Sequence, residues 1–202
     1  MKKLLITGFD PFGGESVNPS WEAVKLLNDT IGEYRLIKMQ LPTVFGKAAR
    51  SLLEAAEKEQ PRAIISIGQA GGRKGITPEV IGINLREARI PDNEGNQPIN
   101  VPVVPGGPAA YFSTLPVREM VEAMQKEQIP CGLSCSAGTF VCNDVLYSVL
   151  DHFDGTPVRA GFIHVPFLPE QAKEGVPSLP LESIVRGLSL AISVLSSPCG
   201  NR

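Results

Sequence analysis

The chain has 202 residues, of which 43% are hydrophobic and 20% charged, with a formal net charge of −2. That is enough chain for one domain with a buried core, and the charge gives no reason to expect nucleic acid or an anionic membrane as partner. No segment approaches the roughly 20 apolar residues of a bilayer span, and the apolar run after Met1-Lys-Lys is too short for a signal peptide, so a cytoplasmic location is expected.

Strands and helices alternate along the chain, which implies an α/β fold: one three-layer domain over residues 1–202, its mostly parallel or mixed central sheet flanked by helices. Lys3–Thr7 reads as a first strand closed by Gly8. Asn18 followed by Pro19 starts a helix, with a capping residue and proline at the first position. Tyr34–Leu41 is a second strand. Thr43 is expected to cap the next helix, whose apolar face is Val44, Phe45, Ala48, Ala49, Leu52, Leu53 and Ala56. Ala63–Ile67 is a continuous apolar run suited to a strand buried on both faces, and Glu79–Leu85 alternates like another. Residues 90–110 are rich in proline and glycine and read as a long irregular loop. Pro116–Gln128 is helical, with Val117, Met120, Val121 and Met124 on one side. Cys131–Ser136 reads as a buried strand in which Cys131 and Cys135 are packing residues. A helix from Cys142, a strand ending near His164 and a last helix over Leu181–Leu195 complete the order.

Four cysteines (Cys131, Cys135, Cys142 and Cys199) without a C-x-x-C pair suit neither a secreted disulfide framework nor a zinc ribbon. Cys142 stands apart. Val145, Leu146, Val149, Leu150 and Phe153 follow it with helical spacing, and Gly138 and Thr139 break the apolar pattern before it. A thiol at a helix N-terminus, among unpaired N–H groups, ionises more easily than a free one, and the thiolate is the attacking species. The competing possibility is a small buried hydrophobe. Of the two histidines, His152 lies ten residues along the same helix, about 15 Å from Cys142. His164 ends an apolar run stopped by Pro166 and Pro169, which suits either a satisfied structural histidine or a base at a strand end that the Cys142 turn can reach.

Four segments carry a family resemblance: Gly8-Phe-Asp-Pro-Phe-Gly-Gly14 with Asn18-Pro-Ser-Trp21; Gly68-Gln-Ala-Gly-Gly-Arg73 with Thr77-Pro-Glu79; Ala88-Arg-Ile-Pro-Asp-Asn-Glu-Gly95; and Ala137-Gly-Thr-Phe-Val-Cys-Asn143 with Gly161-Phe-Ile-His-Val-Pro166. In this order the chain resembles the pyroglutamyl peptidases of type I, a cysteine peptidase family. The resemblance implies Cys142 as nucleophile, His164 as general base then acid, and Glu79 as the acid that orients the histidine. From the sequence alone Glu79 could not be preferred to Asp10, Glu15, Asp92 or Glu94; Asp10 reads as support for the Gly8–Gly14 turn. The implied substrate is a peptide with N-terminal pyroglutamate, a flat neutral lactam that calls for apolar faces and a few hydrogen bonds. Phe9, Phe12 and Phe140 suit the first need and Gln69 and Asn18 the second, and the resemblance implies a place for Arg89 near the reacting carbonyl. The resemblance also implies a homo-oligomer, a tetramer, and no metal or cofactor. Two alternatives stay open. One is a transferase like the purine phosphorylases, which would need a phosphate pocket from Arg73, Lys74, Arg86 and Arg89; the other is a non-catalytic lactam-binding module.

Overall fold

The structure is a computed structural model that describes residues 1–196; Cys199 lies outside the described residues. Its strands are β1 (Lys2–Phe9), β2 (Thr30–Ile31), β3 (Tyr34–Leu41), β4 (Ala63–Gln69), β5 (Thr77–Pro78), β6 (Ile81–Ile83), β7 (Ala110–Phe112) and β8 (Arg159–Val165). Its helices are α1 (Pro19–Leu26), α2 (Lys47–Glu59), α3 (Val117–Lys126), α4 (Val141–His152) and α5 (Leu181–Ser193). One six-stranded sheet runs in the order β2-β3-β1-β4-β8-β5. The four long strands β3, β1, β4 and β8 are parallel, and the short edge strands β2 and β5 run antiparallel, so the sheet is mixed.

Strand composition explains the layering. In β1, Leu4 and Ile6 enter the core beside α1, α3 and α5, while Leu5 enters the core beside α2 and α4. Ile65 and Ile67 against Ile64, and Ile163 and Val165 against Phe162, divide the same way. Strands covered on both faces need apolar residues at every position, which is how these runs read. Among the described residues no helix is long and apolar enough to cross a membrane.

Three expectations need correction. Thr43 does not cap α2. Its hydroxyl donates to Asp10 O (3.1 Å), while Gly46, at φ 68°, precedes the first helical residue. The amides of Phe45 and Gly46 are taken by the carboxylates of Asp92 (2.9 Å) and Asp144 (2.7 Å), so Val44 and Phe45 stay outside the helix.

Glu79–Leu85 is not one strand. Pro78 ends β5, Glu79 makes a single bridge with Ser134, and β6 pairs with β7 in a separate two-stranded sheet. The side chain of Asn143 substitutes for a strand partner there, accepting from Ile83 N (3.0 Å) and donating to Ile83 O (2.8 Å) and Leu85 O (3.0 Å).

Cys131–Ser136 forms isolated bridges only, Cys131 with Ile76 and Ser134 with Glu79. The Ser134 hydroxyl instead donates to Ser136 O (3.2 Å) and accepts from Ser136 N (3.3 Å), a local competition with ladder formation. Cys131 is half-buried, but Cys135 is exposed and is not a packing residue. The 90–110 loop is irregular yet tied down: buried Asp92 accepts from the amides of Phe45, Glu94 and Asn96.

Candidate active site

The C-terminal ends of the parallel strands share one rim, where open α/β sheets present their crevice. His164, nearly buried, stands there on β8 opposite Gly68 of β4 and Thr77 of β5. Just past β5 the amide of Glu79 donates to Phe162 O (2.9 Å), which carries the Glu79 side chain beside the imidazole. His164 Nδ1 donates to Glu79 Oε1 at 2.7 Å, with the carboxylate fully buried. Burial alone would raise Glu79, yet the hydrogen bond from His164 and the Ser134 hydroxyl nearby, with the positive charge of Arg73 beyond, hold it below the ordinary carboxylate range. Glu79 is therefore an anion and an acceptor only. The ring proton sits on Nδ1, and Nε2 keeps its lone pair. Burial lowers His164 more than the carboxylate raises it, so the resting imidazole is neutral.

Cys142 is the second residue of α4, after an N-cap residue, Phe140, that supplies no side-chain cap. The first helical bond runs from Asp144 N to Phe140 O (3.1 Å), which leaves the amides of Val141, Cys142 and Asn143 open at the helix end. The sulfur lies over Gly68, where an added Cβ would stand 2.9 Å from Sγ. The thiol therefore lies over β4 beside the strand position of His164, the register partner of Gly68. The expected acid thiol is not what the geometry yields. Burial first, and the Glu79 carboxylate second, push Cys142 up to about 12, against the lowering by Arg73 and the thiol's own backbone amide. Desolvation outweighs the helix end here. His152 closes the same helix and is exposed, its ring packed edge-on to Phe153.

Half-buried Phe12 packs on Phe140 (5.9 Å between ring centres), and Phe140 meets Phe45 edge-on (5.2 Å). The three rings form one apolar wall leading to Cys142. Phe9 is buried behind them against Phe162 (6.1 Å), with its amide held by Ser20 Oγ (3.0 Å). Asn18 is committed elsewhere. Its Oδ1 accepts from the amide and hydroxyl of Ser20 as the cap of α1, and its Nδ2 donates to Asp10 O (2.9 Å). It shapes the Phe9–Phe12 turn rather than offering a free amide. The Gln69 side chain projects from the sheet face opposite to that of Gly68, where its Oε1 accepts from Gln171 (3.1 Å). Arg89 is exposed and makes no hydrogen bond among the described residues. Among those residues, no group of three or more His, Cys, Asp or Glu is placed to hold a metal ion.

Three participants were not singled out from sequence. Phe45 looked like part of a helix face, Gly68 like one glycine among several, and Arg73 like a candidate for phosphate. Arg73 instead donates to Glu79 Oε1 at 2.6 Å. The only sequence signal for Gly68 and Arg73 is their place in the Gly68–Arg73 motif. The whole arrangement can move a proton from a thiol to an imidazole whose charge a buried carboxylate then compensates, beside open backbone donors.

A family model described as pyroglutamyl peptidase matches residues 2–197. The chain is 53% identical to a pyrrolidone-carboxylate peptidase of Bacillus cereus (strain AH820), over 98% of this chain and 94% of that protein. The crystal structure of the Bacillus amyloliquefaciens pyroglutamyl peptidase I superposes with a TM-score of 0.94 at 52% identity, covering 97% of each chain. The pyrrolidone carboxyl peptidase from Thermococcus litoralis does so with a TM-score of 0.91 at 39% identity, covering 96% of this chain and 93% of that one.

Proposed function

This chain belongs to the pyroglutamyl peptidase family and is a cysteine peptidase of type I, and from that premise we propose how its site removes N-terminal pyroglutamate from peptides and proteins. As Cys142 Sγ attacks the pyroglutamyl carbonyl carbon, His164 Nε2 takes the thiol proton. Because the thiol rests protonated, transfer and attack go together rather than from a stored thiolate. The new oxyanion is held by the open amides at the start of α4, with the exposed Arg89 approaching from the loop side. Glu79 compensates the imidazolium, which gives its proton to the leaving amine. Collapse breaks the C–N bond and leaves a thioester on Cys142. His164 then deprotonates water, hydroxide attacks the thioester carbonyl, and the proton returns to sulfur as pyroglutamate leaves.

Phe12, Phe45 and Phe140 cover the flat face of the lactam, with Phe9 supporting them. The observation that carries this reading is the buried His164–Glu79 bond beside the uncapped helix end that bears Cys142. We infer further that the chain acts as one catalytic domain without a cofactor. A reduced nucleophile suits the cytoplasm, and a homo-oligomer, a tetramer, is the assembly we expect.

The test is steady-state hydrolysis of pyroglutamyl-7-amido-4-methylcoumarin against its prolyl and glutamyl analogues. A prolyl ring lacks the lactam oxygen and carries a charge, so discrimination of roughly 10⁴-fold is expected. Comparable kcat/KM values for the pyroglutamyl and prolyl amides would rule out a lactam-reading site.

A further inference from the structure

One oxygen of the buried carboxylate has two partners. Glu79 Oε1 accepts from His164 Nδ1 (2.7 Å) and from Arg73 Nη1 (2.6 Å), while Oε2 is buried without a hydrogen-bond partner among the described residues. The neighbouring Ser134 hydroxyl is turned toward Ser136 O (3.2 Å). Arg73 reaches further. Nη1 also donates to Thr77 Oγ1, and Nη2 donates to Ser136 O (3.0 Å), in the segment that leads into α4. The guanidinium thus spans β5, the acid and the approach to the nucleophile, with its side chain only 24% exposed.

We propose that Arg73 is a positioning residue of the reaction: by sharing one Glu79 oxygen with His164 it keeps the carboxylate ionised and the resting imidazole neutral. This rests on the roles of His164 and Glu79 given above. A carboxylate with no exposure that faced only a neutral imidazole would favour its protonated form. A guanidinium cannot give up its proton, so it supplies the permanent counter-charge. It also competes with an imidazolium for the same oxygen and repels its charge, which makes His164 a weaker base at rest but one that is unprotonated near neutrality. The charged or titratable groups that face His164 are Glu79 after β5, Arg73 from the β4–β5 connection and Cys142 from α4 across Gly68. On β8 itself the neighbour is the Phe162 ring, 4.8 Å away. Only Arg73 among these opposes protonation by charge.

The experiment uses the full chain and the fact that it has two histidines, so both imidazoles can be followed by NMR while pH is varied. In the wild type, His164 should take its proton below the ordinary 6.5 of a histidine. In Arg73→Gln and Arg73→Met, the His164 midpoint should move up, and the acid limb of kcat/KM on a pyroglutamyl amide should move with it. Arg73→Lys should keep the wild-type limb but lower kcat, because an ammonium cannot hold Glu79, Thr77 and Ser136 together. An unmoved His164 midpoint in either neutral variant overturns the proposal, as does a wild-type His164 that takes its proton at or above the ordinary 6.5. The NMR readout needs no turnover, so a wild type inactive on pyroglutamyl amides would sink the functional reading without being mistaken for this result.

Discussion

Gly68→Ala tests the placement of the sulfur directly. A methyl there would stand 2.6 and 2.7 Å from two ring atoms of Phe162 and 2.9 Å from Cys142 Sγ, where ordinary contact begins at 3.4 Å. The sulfur is short by about half an ångström and the ring by more. The ring cannot swing away freely, because Phe9 packs at 6.1 Å and His164 at 4.8 Å. Overpacking of this kind costs about 1–3 kcal/mol, or roughly 2–4 °C of Tm per kcal/mol in a chain of this size. The chemical cost should be larger. A displacement near 1 Å at a reacting atom costs on the order of 10²-fold, so kcat on pyroglutamyl-7-amido-4-methylcoumarin should fall by about 10- to 100-fold, with KM changed much less. Gly132→Ala is the control, since an added Cβ there meets nothing within 4 Å. If Gly68→Ala kept kcat within twofold and alkylated Cys142 at the wild-type rate, the sulfur would not lie over β4 and the thiol–imidazole geometry would be wrong.

Cys142→Ser should retain the fold, judged by its melting curve, and lose nearly all turnover, because an alcohol is far less acidic than a thiol; activity above about one per cent would contradict the nucleophile assignment. His164→Ala should be inactive and His152→Ala nearly normal in the same assay, and the reverse pattern would place the base on the wrong element. Stability should fall as pH drops from about 6.5 toward 5, measured by urea midpoints. Folded His164 is held below its ordinary 6.5, so below that pH the unfolded chain binds a proton that the folded one refuses. Glu79, held below its ordinary 4.5, adds a second loss as pH falls further. A flat midpoint between pH 7 and 5, or no flattening of that slope in His164→Gln, would count against the neutral buried imidazole.

Much of the fold was legible because the physics is local. Leu4–Ile6 and Ala63–Ile67 had to be strands covered on both faces, and the spacing from Val145 to Phe153 had to be a helix beginning near Cys142. What escaped depends on partners far away in the chain. Thr43 looked like a cap because nothing nearby shows that Asp92 and Asp144 take the amides of Phe45 and Gly46, 47 and 98 residues away. Glu79 could be singled out only by resemblance, since its bond to His164 closes a separation of 85 residues. The ionisation of Cys142 was misjudged for the same reason. A helix end is visible in sequence, whereas the desolvation of the half-buried Cys142 thiol that outweighs it is not.

Asp144 sits two residues beyond the nucleophile, in the first turn of α4 and without any exposure. An unscreened anion at that point would oppose negative charge gathering at the helix end. Arg86 cancels it, donating from Nε to Oδ1 at 2.6 Å, and the other oxygen takes the amide of Gly46. The helix end is therefore electrically neutral apart from its own peptide dipoles, and these face the substrate undiminished. The same pair fastens that helix end to the start of α2 and to the 86–101 loop, so Phe45 and the sulfur are carried on a single rigid frame. A disturbance anywhere in that loop would reach the reacting carbon as a change in both field and position.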